Sequence, residues 1–384
     1  MAAVHWIRTH CNCVRQGVAQ VKFRSANCTH SYSAAQGLYA LTLTERRTPH
    51  SMLRNLIGVR AIMQPQAFYQ IVAEDFAAVD SIIKQQLSSR IPLVEKIGDY
   101  IISAGGKRLR PLLVLLAGNA VGKQDDDLRL LAAVIEFLHT STLLHDDVVD
   151  KSDLRRGRST ANAKWGNAPS VLVGDFLYAR SFEMMVRLGS LPVMDIISQA
   201  TRVIAEGEVL QLTKVRDAST TEATYMEVIR GKTAMLFEAS THSAAVLAGA
   251  PAEQVEALRT YGDNLGIAFQ LVDDLLDYRG DAETLGKNVG DDLAEGKPTL
   301  PLIVTMRDGT AEQAALVRKA IQKGGIEDLA EISAAVEASG ALDYTAKLAQ
   351  DYAQQAISCL DELPASGYRN ALIELAQFAV ARTQ

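Results

Sequence analysis

The sequence predicts an all-α protein, and three observations carry that prediction. Apolar residues return at spacings of three and four from about Ala67 to the end of the 384-residue chain. Alternating β-branched runs closed by tight turns are absent. The interruptions are short Gly, Pro or polar clusters, the kind that join helices packed as antiparallel neighbours. With 48% hydrophobic residues the chain has the material for a large core, and its 26 Gly and 10 Pro are too few for a fibrous or disordered protein.

In chain order the periodic stretches are 69–88, 92–103, 111–121, 128–149, 170–188, 193–213, 222–249, 252–277, 300–306, 312–321, 326–338, 341–361 and 369–381. Pro111 suits the first position of its helix, where a missing N–H costs nothing. Asp125, Asp126 and Asp127 stand before Leu128, where consecutive carboxylates cap a helix N-terminus rather than share one face. Leu112 to Leu116 begins the most apolar run, but Gly118 and Asn119 interrupt it before it reaches the length of a membrane span. The stretch from Arg279 to Thr299, rich in Gly, Asp and Lys, is expected to be a mobile loop.

Residues 1–62 differ from the rest. They hold eight Lys/Arg and one acid, Glu45, for a net charge of +7, while residues 63–384 carry −13. Few acids with Arg and Ser/Thr is also the composition of an organelle transit peptide. The Cys and His content argues against that, so 1–62 is expected to be an N-terminal extension outside the fold, disordered or an over-extended start, with the functional domain at 63–384. An acidic body is a poor match for nucleic acid. Cys359 alone among the four cysteines lies in the body, so no disulfide framework exists there, and a reducing, cytoplasmic setting is expected.

The chemistry centres on two acid-tipped helices. Ile135, His139, Thr142, Asp146 and Asp150 recur at helical spacing and share one stripe. Asp146 and Asp150 can therefore reach toward one hard cation such as Mg²⁺. The same spacing returns in Gln270, Asp273, Asp274 and Asp277. One DDxxD is as easily a solvated surface, but two on apolar helices suggest a shared cation-filled mouth, because buried carboxylates need a counter-charge.

Cations accompany the acids. Lys107, Arg108 and Arg110 follow Gly105 and Gly106 at a helix start, a setting suited to phosphate. Arg155, Arg156 and Arg158 follow Asp150. Lys232 has Val228, Ile229, Met235 and Leu236 as helical neighbours, so an ammonium there needs an anionic partner. Lys287 and Lys297 lie in the expected loop. Two carboxylate groups and several separate cations suit more than one phosphorylated group.

In family order the body carries GGKRLRP, DDVVD, RRG, GKT, DDLLD and GKNVGDDLAEGKPTLP. On these motifs it resembles the trans-prenyltransferases, the polyprenyl diphosphate synthases, and within them the bacterial octaprenyl-forming kind. The resemblance implies the isoprenoid-synthase helical bundle, a homodimer, and Mg²⁺-dependent head-to-tail condensation of isopentenyl diphosphate onto an allylic diphosphate, farnesyl or shorter, toward a quinone side-chain precursor. It implies that Lys107, Arg110, His139 and Arg156 hold isopentenyl diphosphate, and that Arg155, Lys232, Thr233, Gln270 and Lys287 attend the allylic diphosphate. Asp146, Asp150, Asp273 and Asp277 are implied at the metal, with Asp147, Asp274 and Asp291 in support; Asp146, Asp150, Lys232 and Asp273 are the implied catalytic set. No nucleophilic side chain is required.

Small residues at Ser141 and Thr142, where short-chain relatives carry aromatics, imply a deep product channel floored near Leu138, Ile135, Met184 and Met185. Two rivals are a catalytically silent partner subunit, which should have lost one acidic cluster, and a terpene cyclase, which has no need of GGKRLRP. Both clusters and GGKRLRP are intact.

Overall fold

A computed structural model describes residues 66–279, 290–325 and 327–381. The expectations for 1–62 and for Lys287 fall outside those residues. The fold is all-helical apart from one short hairpin.

The first stretch is two helices, α1 (Ala67–Gln70) and α2 (Ala73–Gln86), followed by α3 (Pro92–Ile102) with Pro92 at its start. Helix α4 (Leu109–Ala120) begins two residues before Pro111. Pro is tolerated at this third position for the same reason as at the first, since the opening N–H groups of a helix have no internal partner. Every residue of α4 except Arg110 is buried, so it has no solvated face and runs through the core. Leu112, Leu113, Leu115 and Leu116 are each fully buried, contributing about 1.5–3 kcal/mol apiece.

Helix α5 (Asp126–Val149) starts as its acids predict, with the Asp125 carboxylate accepting from the Leu128 N–H at 3.1 Å. It packs along α7 (Asn167–Leu188) and against α4. Between α5 and α7 come a hairpin unseen in the periodicity, β1 (Leu154–Arg155) paired antiparallel with β2 (Arg158–Ser159), and the short α6 (Ala161–Trp165). The two turn residues, Arg156 (φ 53°) and Gly157 (φ 70°), both have positive φ, as two-residue hairpins require.

Helix α8 (Leu191–Lys214) leads to α9 (Glu222–Ile229) and α10 (Met235–Leu247). The sequence reads 222–249 as one helix, but a five-residue π turn, Arg230–Ala234, joins α9 to α10. Inserted residues of this kind cluster at functional sites because they re-aim side chains. Gly207 of α8 makes the turn possible: a Cβ there would lie 2.7 Å from the Lys232 backbone nitrogen.

Helix α11 (Ala252–Arg279) is the longest. After the undescribed 280–289 comes α12 (Asp291–Glu295), so part of the expected loop is a short helix capped by Gly290 and Gly296. Helices α13 (Leu300–Asp308), α14 (Ala311–Lys323), α15 (Leu329–Ala338), α16 (Ala341–Cys359) and α17 (Gly367–Ala381) complete the bundle. One core joins α1–α8, α10, the first half of α11 and α17; a second joins α9, the end of α11 and α12–α16. Among the described residues no helix is long and apolar enough to cross a membrane.

Candidate active site

The ends of α4, α5, α8, α9 and α11, with the hairpin and α12, enclose a cavity of about 750 Å³. Asp146, Asp150 and Asp273 line it, as do Lys107, Arg110, His139, Arg155, Arg156, Lys232, Thr233 and Gln270. Residues far apart in sequence thus meet where the two acid-tipped helices face each other.

The basic rim is built at the 105–110 turn. Gly106 (φ 133°) lies against the Arg156 guanidinium, and a Cβ there would come within 2.5 Å of it, so the second glycine of GGKRLRP leaves room for a residue fifty positions on. The Arg110 guanidinium is held over the Phe237 ring at 4.7 Å and donates to His139 Nε2 at 3.3 Å. Arginine only donates, so Nε2 accepts and the ring is neutral. Burial, then Arg110, Arg156 and Arg155, hold the His139 pKa well below its usual value. Lys107 sits 5.7 Å from the Phe378 ring, and its carbonyl accepts from the Tyr69 hydroxyl. Arg108, with φ 44°, lines the cavity and donates to Asp80.

The acidic side is asymmetric. Burial, then Glu208, push the Asp146 carboxyl up to about 7. Asp150 is the C-cap of α5 and receives Lys297 at 3.3 Å; Lys297 also pairs with Glu295. Asp147 points the other way. It is fully buried and accepts from Arg155 Nε at 2.7 Å, which makes it the anchor of an expected substrate residue. On α11, Asp274 is buried, accepting from Tyr225 at 2.6 Å and Gln270 at 2.7 Å. Gln270 accepts in turn from Thr233 at 2.8 Å. Thr233 and Gln270 therefore reach the cavity with orientations set by this chain of hydrogen bonds.

One expected metal residue is misplaced. Asp277 is fully buried and does not line the cavity, because Gly290 returns across its turn and donates to the Asp277 carbonyl at 3.2 Å. Asp291 does line it, with Asp292 and Glu295 beside it.

Sequence reasoning missed Glu208 and Gln211 of α8. Both accept from the Lys232 ammonium at 2.8 Å, which is the anionic partner the apolar setting of that lysine demanded. The π turn hid this face from any count at α-helical spacing. Glu136, among the arginines, was also missed.

The donors fit a hard divalent cation. They are carboxylate oxygens on one cavity, with Asp146 half-sheltered from solvent and Glu208 and Asp150 close enough to raise its carboxyl further. Among the described residues no three His, Cys, Asp or Glu form a ready-made metal pocket. Carboxylate oxygens lining an open cavity suit an ion that keeps waters and bridges to phosphate.

The apolar wall continues from Thr142 and Leu143 to Ile204, Val228, Ile229 and Phe269. Ser141 is fully buried, donating to the Gly174 carbonyl at 2.9 Å, so it is packing rather than wall. Leu138, Ile135, Met184 and Met185, the expected floor, are core residues that do not line this cavity.

Residues 91–338 match the polyprenyl synthetase family. The chain belongs to that family. It is 52% identical over 321 residues to the octaprenyl diphosphate synthase of Escherichia coli K12, spanning 83% of this chain and 99% of that one. It is 50% identical over 314 residues to the all-trans-nonaprenyl-diphosphate synthase (geranyl-diphosphate specific) of Rhodobacter capsulatus, spanning 82% and 96%. A crystal structure of polyprenyl synthase from Caulobacter crescentus, complexed with calcium and isoprenyl diphosphate, superposes with a TM-score of 0.80 at 47% identity, covering 83% and 98%. These polyprenyl synthases share the helical fold described above.

Proposed function

We propose that this prenyltransferase makes octaprenyl diphosphate, a quinone side-chain precursor, by repeated head-to-tail addition of isopentenyl diphosphate to an allylic diphosphate. The observation that carries the proposal is one cavity lined by a basic rim, two acidic helix ends and an apolar wall. Lys107, Arg110, His139 and Arg156 hold isopentenyl diphosphate. Arg155, Lys232, Thr233 and Gln270, with Lys287, hold the allylic diphosphate.

Asp146, Asp150 and Asp273 hold Mg²⁺, which when bound supplies positive charge to the leaving diphosphate. Lys232 and Arg155 add fixed charge on the same side, so the allylic C–O bond ionises in a site already organised for it. The basic rim keeps the isopentenyl double bond in line with the cation that results. The new C–C bond forms there, and a proton passes to the departing diphosphate. Thr142 leaves the wall open to a growing chain, and the similarity to octaprenyl and nonaprenyl synthases supports a long product.

The same reading places the enzyme in the cytoplasm as a homodimer. Leu172 and Val186 of α7, and Leu191, Val209 and Leu212 of α8, are exposed apolar side chains that a second copy would cover. It also assigns the activity to residues 63–384, since the relatives align over nearly their whole length with 82–83% of this chain. A chain beginning at Met63 is expected to keep its turnover.

The test is incubation of the purified enzyme with farnesyl diphosphate, isopentenyl diphosphate and Mg²⁺, then sizing of the product. An octaprenyl product is expected. No chain elongation, or a product no longer than geranylgeranyl diphosphate, would refute the proposal.

A further inference from the structure

A carboxylate inside an anion-binding rim is an anomaly. Glu136 of α5 is 8% exposed, and three arginines surround it. Arg108 Nε lies 3.9 Å from Oε1, with Arg110 from α4 and Arg156 from the hairpin turn close by. Oε2 is buried with no hydrogen-bond partner, and so is Nε of Arg110. From α2, Asp80 faces the same group and takes Arg108. On α5 itself, neutral His139 stands one turn away against Arg110.

This carboxylate repels any diphosphate the rim binds. Yet without it, three guanidiniums would crowd a buried space with Asp80 beside Arg108 and Asp146 toward Arg110 to balance them. An anion that belongs in the empty site but not in the filled one needs a way to lose its charge, and a free Oε2 offers a place for a proton.

We propose that Glu136 is the positioning residue of this rim: ionised, it holds Arg108, Arg110 and Arg156 together while the rim is empty, and it takes a proton from solvent at Oε2 when a diphosphate replaces it as their counter-anion. The proposal rests on the reading of the rim as the isopentenyl diphosphate subsite. Burial, opposed by Arg108, Arg110 and Arg156, already pushes the Glu136 carboxyl up to about 6 in the empty rim. An arriving diphosphate cancels the arginine contribution and adds repulsion, so the carboxyl rises further and crosses neutral pH.

The experiment is titration calorimetry of the full chain with isopentenyl diphosphate in chelator, at pH 7.5–8.5 where the ligand's own protons are already lost. Repeating it in two buffers of different ionisation enthalpy counts the protons taken up. The wild-type chain should take up about one proton per ligand and bind up to about tenfold more weakly per pH unit as pH rises. Glu136→Gln, isosteric and uncharged, should take up almost none and bind with little pH dependence. His139→Gln, a change within the rim, should bind more weakly but still take up about one proton per bound ligand.

Equal proton counts in wild type and Glu136→Gln, or ligand bound by His139→Gln with no proton taken up, would overturn the proposal and leave the subsite standing. No uptake by the wild-type chain overturns it even if Glu136→Gln does not fold. No binding at all removes the subsite and the proposal together.

Discussion

The two aspartate clusters have the same spacing and opposite manners of use. DDVVD presents its first and last residues, Asp146 and Asp150, to the cavity and turns Asp147 inward to Arg155. DDLLD presents its first residue, Asp273, holds Asp274 buried at the cavity edge against Tyr225 and Gln270, and buries its last, Asp277, away from the cavity. The cause lies in what covers each helix. Helix α5 stops at Val149, so Asp150 is a C-cap on an open turn. Helix α11 continues to Arg279, and the chain returning at Gly290 lies across the turn of Asp277. A shared stripe makes two carboxylates available to one ligand, but the neighbouring backbone decides which of them the ligand meets.

The largest test of this contrast is in the first cluster. Asp146→Ala or Asp150→Ala should lower turnover by roughly a thousandfold or more, because each removes charge from the place where the leaving group ionises. Circular dichroism should stay that of the wild type. Near-normal turnover in either variant would mean that α5 does not carry the metal. A second test sets the clusters against each other. Asp273→Asn should raise the Mg²⁺ concentration that turnover requires by at least about tenfold, a loss of affinity typical when a partner at a metal is removed. Asp277→Asn should leave it within about twofold. Equal shifts in both would show that Asp277 reaches the ion after all.

Much of this was legible from the residues, for a definite reason. Thirteen periodic stretches, the Asp125 cap and the common face of His139, Thr142, Asp146 and Asp150 all follow from the period of one helix. What was not legible depends on how helices meet. The π turn at Arg230–Ala234 changes the period locally, which hid the pairing of Lys232 with Glu208 and Gln211. The Arg156–Gly157 hairpin is too short to leave a pattern. Glu136 reads as one more acid in an apolar helix until Arg108 and Arg110 from the start of α4 and Arg156 from the hairpin turn meet it. The burial of Asp277 is likewise a fact about Gly290, not about DDLLD.

The contrast extends down α5, one turn from the acids. Thr142 lines the cavity, whereas adjacent Ser141 is fully buried against Gly174. Thr142→Phe should set a ring across the apolar wall and shorten the main product, with the first allylic substrate still ionised. Ser141→Phe has no space to occupy and should destabilise the fold by roughly 1–3 kcal/mol or more. Product sizing and thermal melts of the two variants separate these outcomes. An unchanged product from folded Thr142→Phe would mean the chain grows along another face.

The smallest expected effect is on stability, and it isolates the first cluster. Burial raises the Asp146 carboxyl to about 7, aided by Glu208 and Asp150 and opposed by Lys232 and Arg155. An unfolded aspartate titrates near 3.9, so the folded chain holds this proton more tightly. The stabilisation is therefore fully present below about pH 4 and is lost as pH rises through about 7. His139 works with the opposite sign, since its lowered pKa costs stability only as pH falls below the ordinary histidine range. Burial also raises the carboxyls of Asp274 and Glu136, so from pH 6.5 to 8 they add to the loss from Asp146 in wild type and variant alike, and the difference between the two chains isolates Asp146. In chelator the melting temperature of the wild-type chain should fall over that window, by roughly 2–4 °C for each kcal/mol of proton linkage lost. Asp146→Asn carries no such proton and should melt with a smaller slope. Mg²⁺ at pH 8 should recover the loss in the wild type more than in Asp146→Asn, because the ion takes the proton's place as the counter-charge. Parallel pH slopes for the two chains in calorimetric scans would place the linked proton elsewhere than on Asp146.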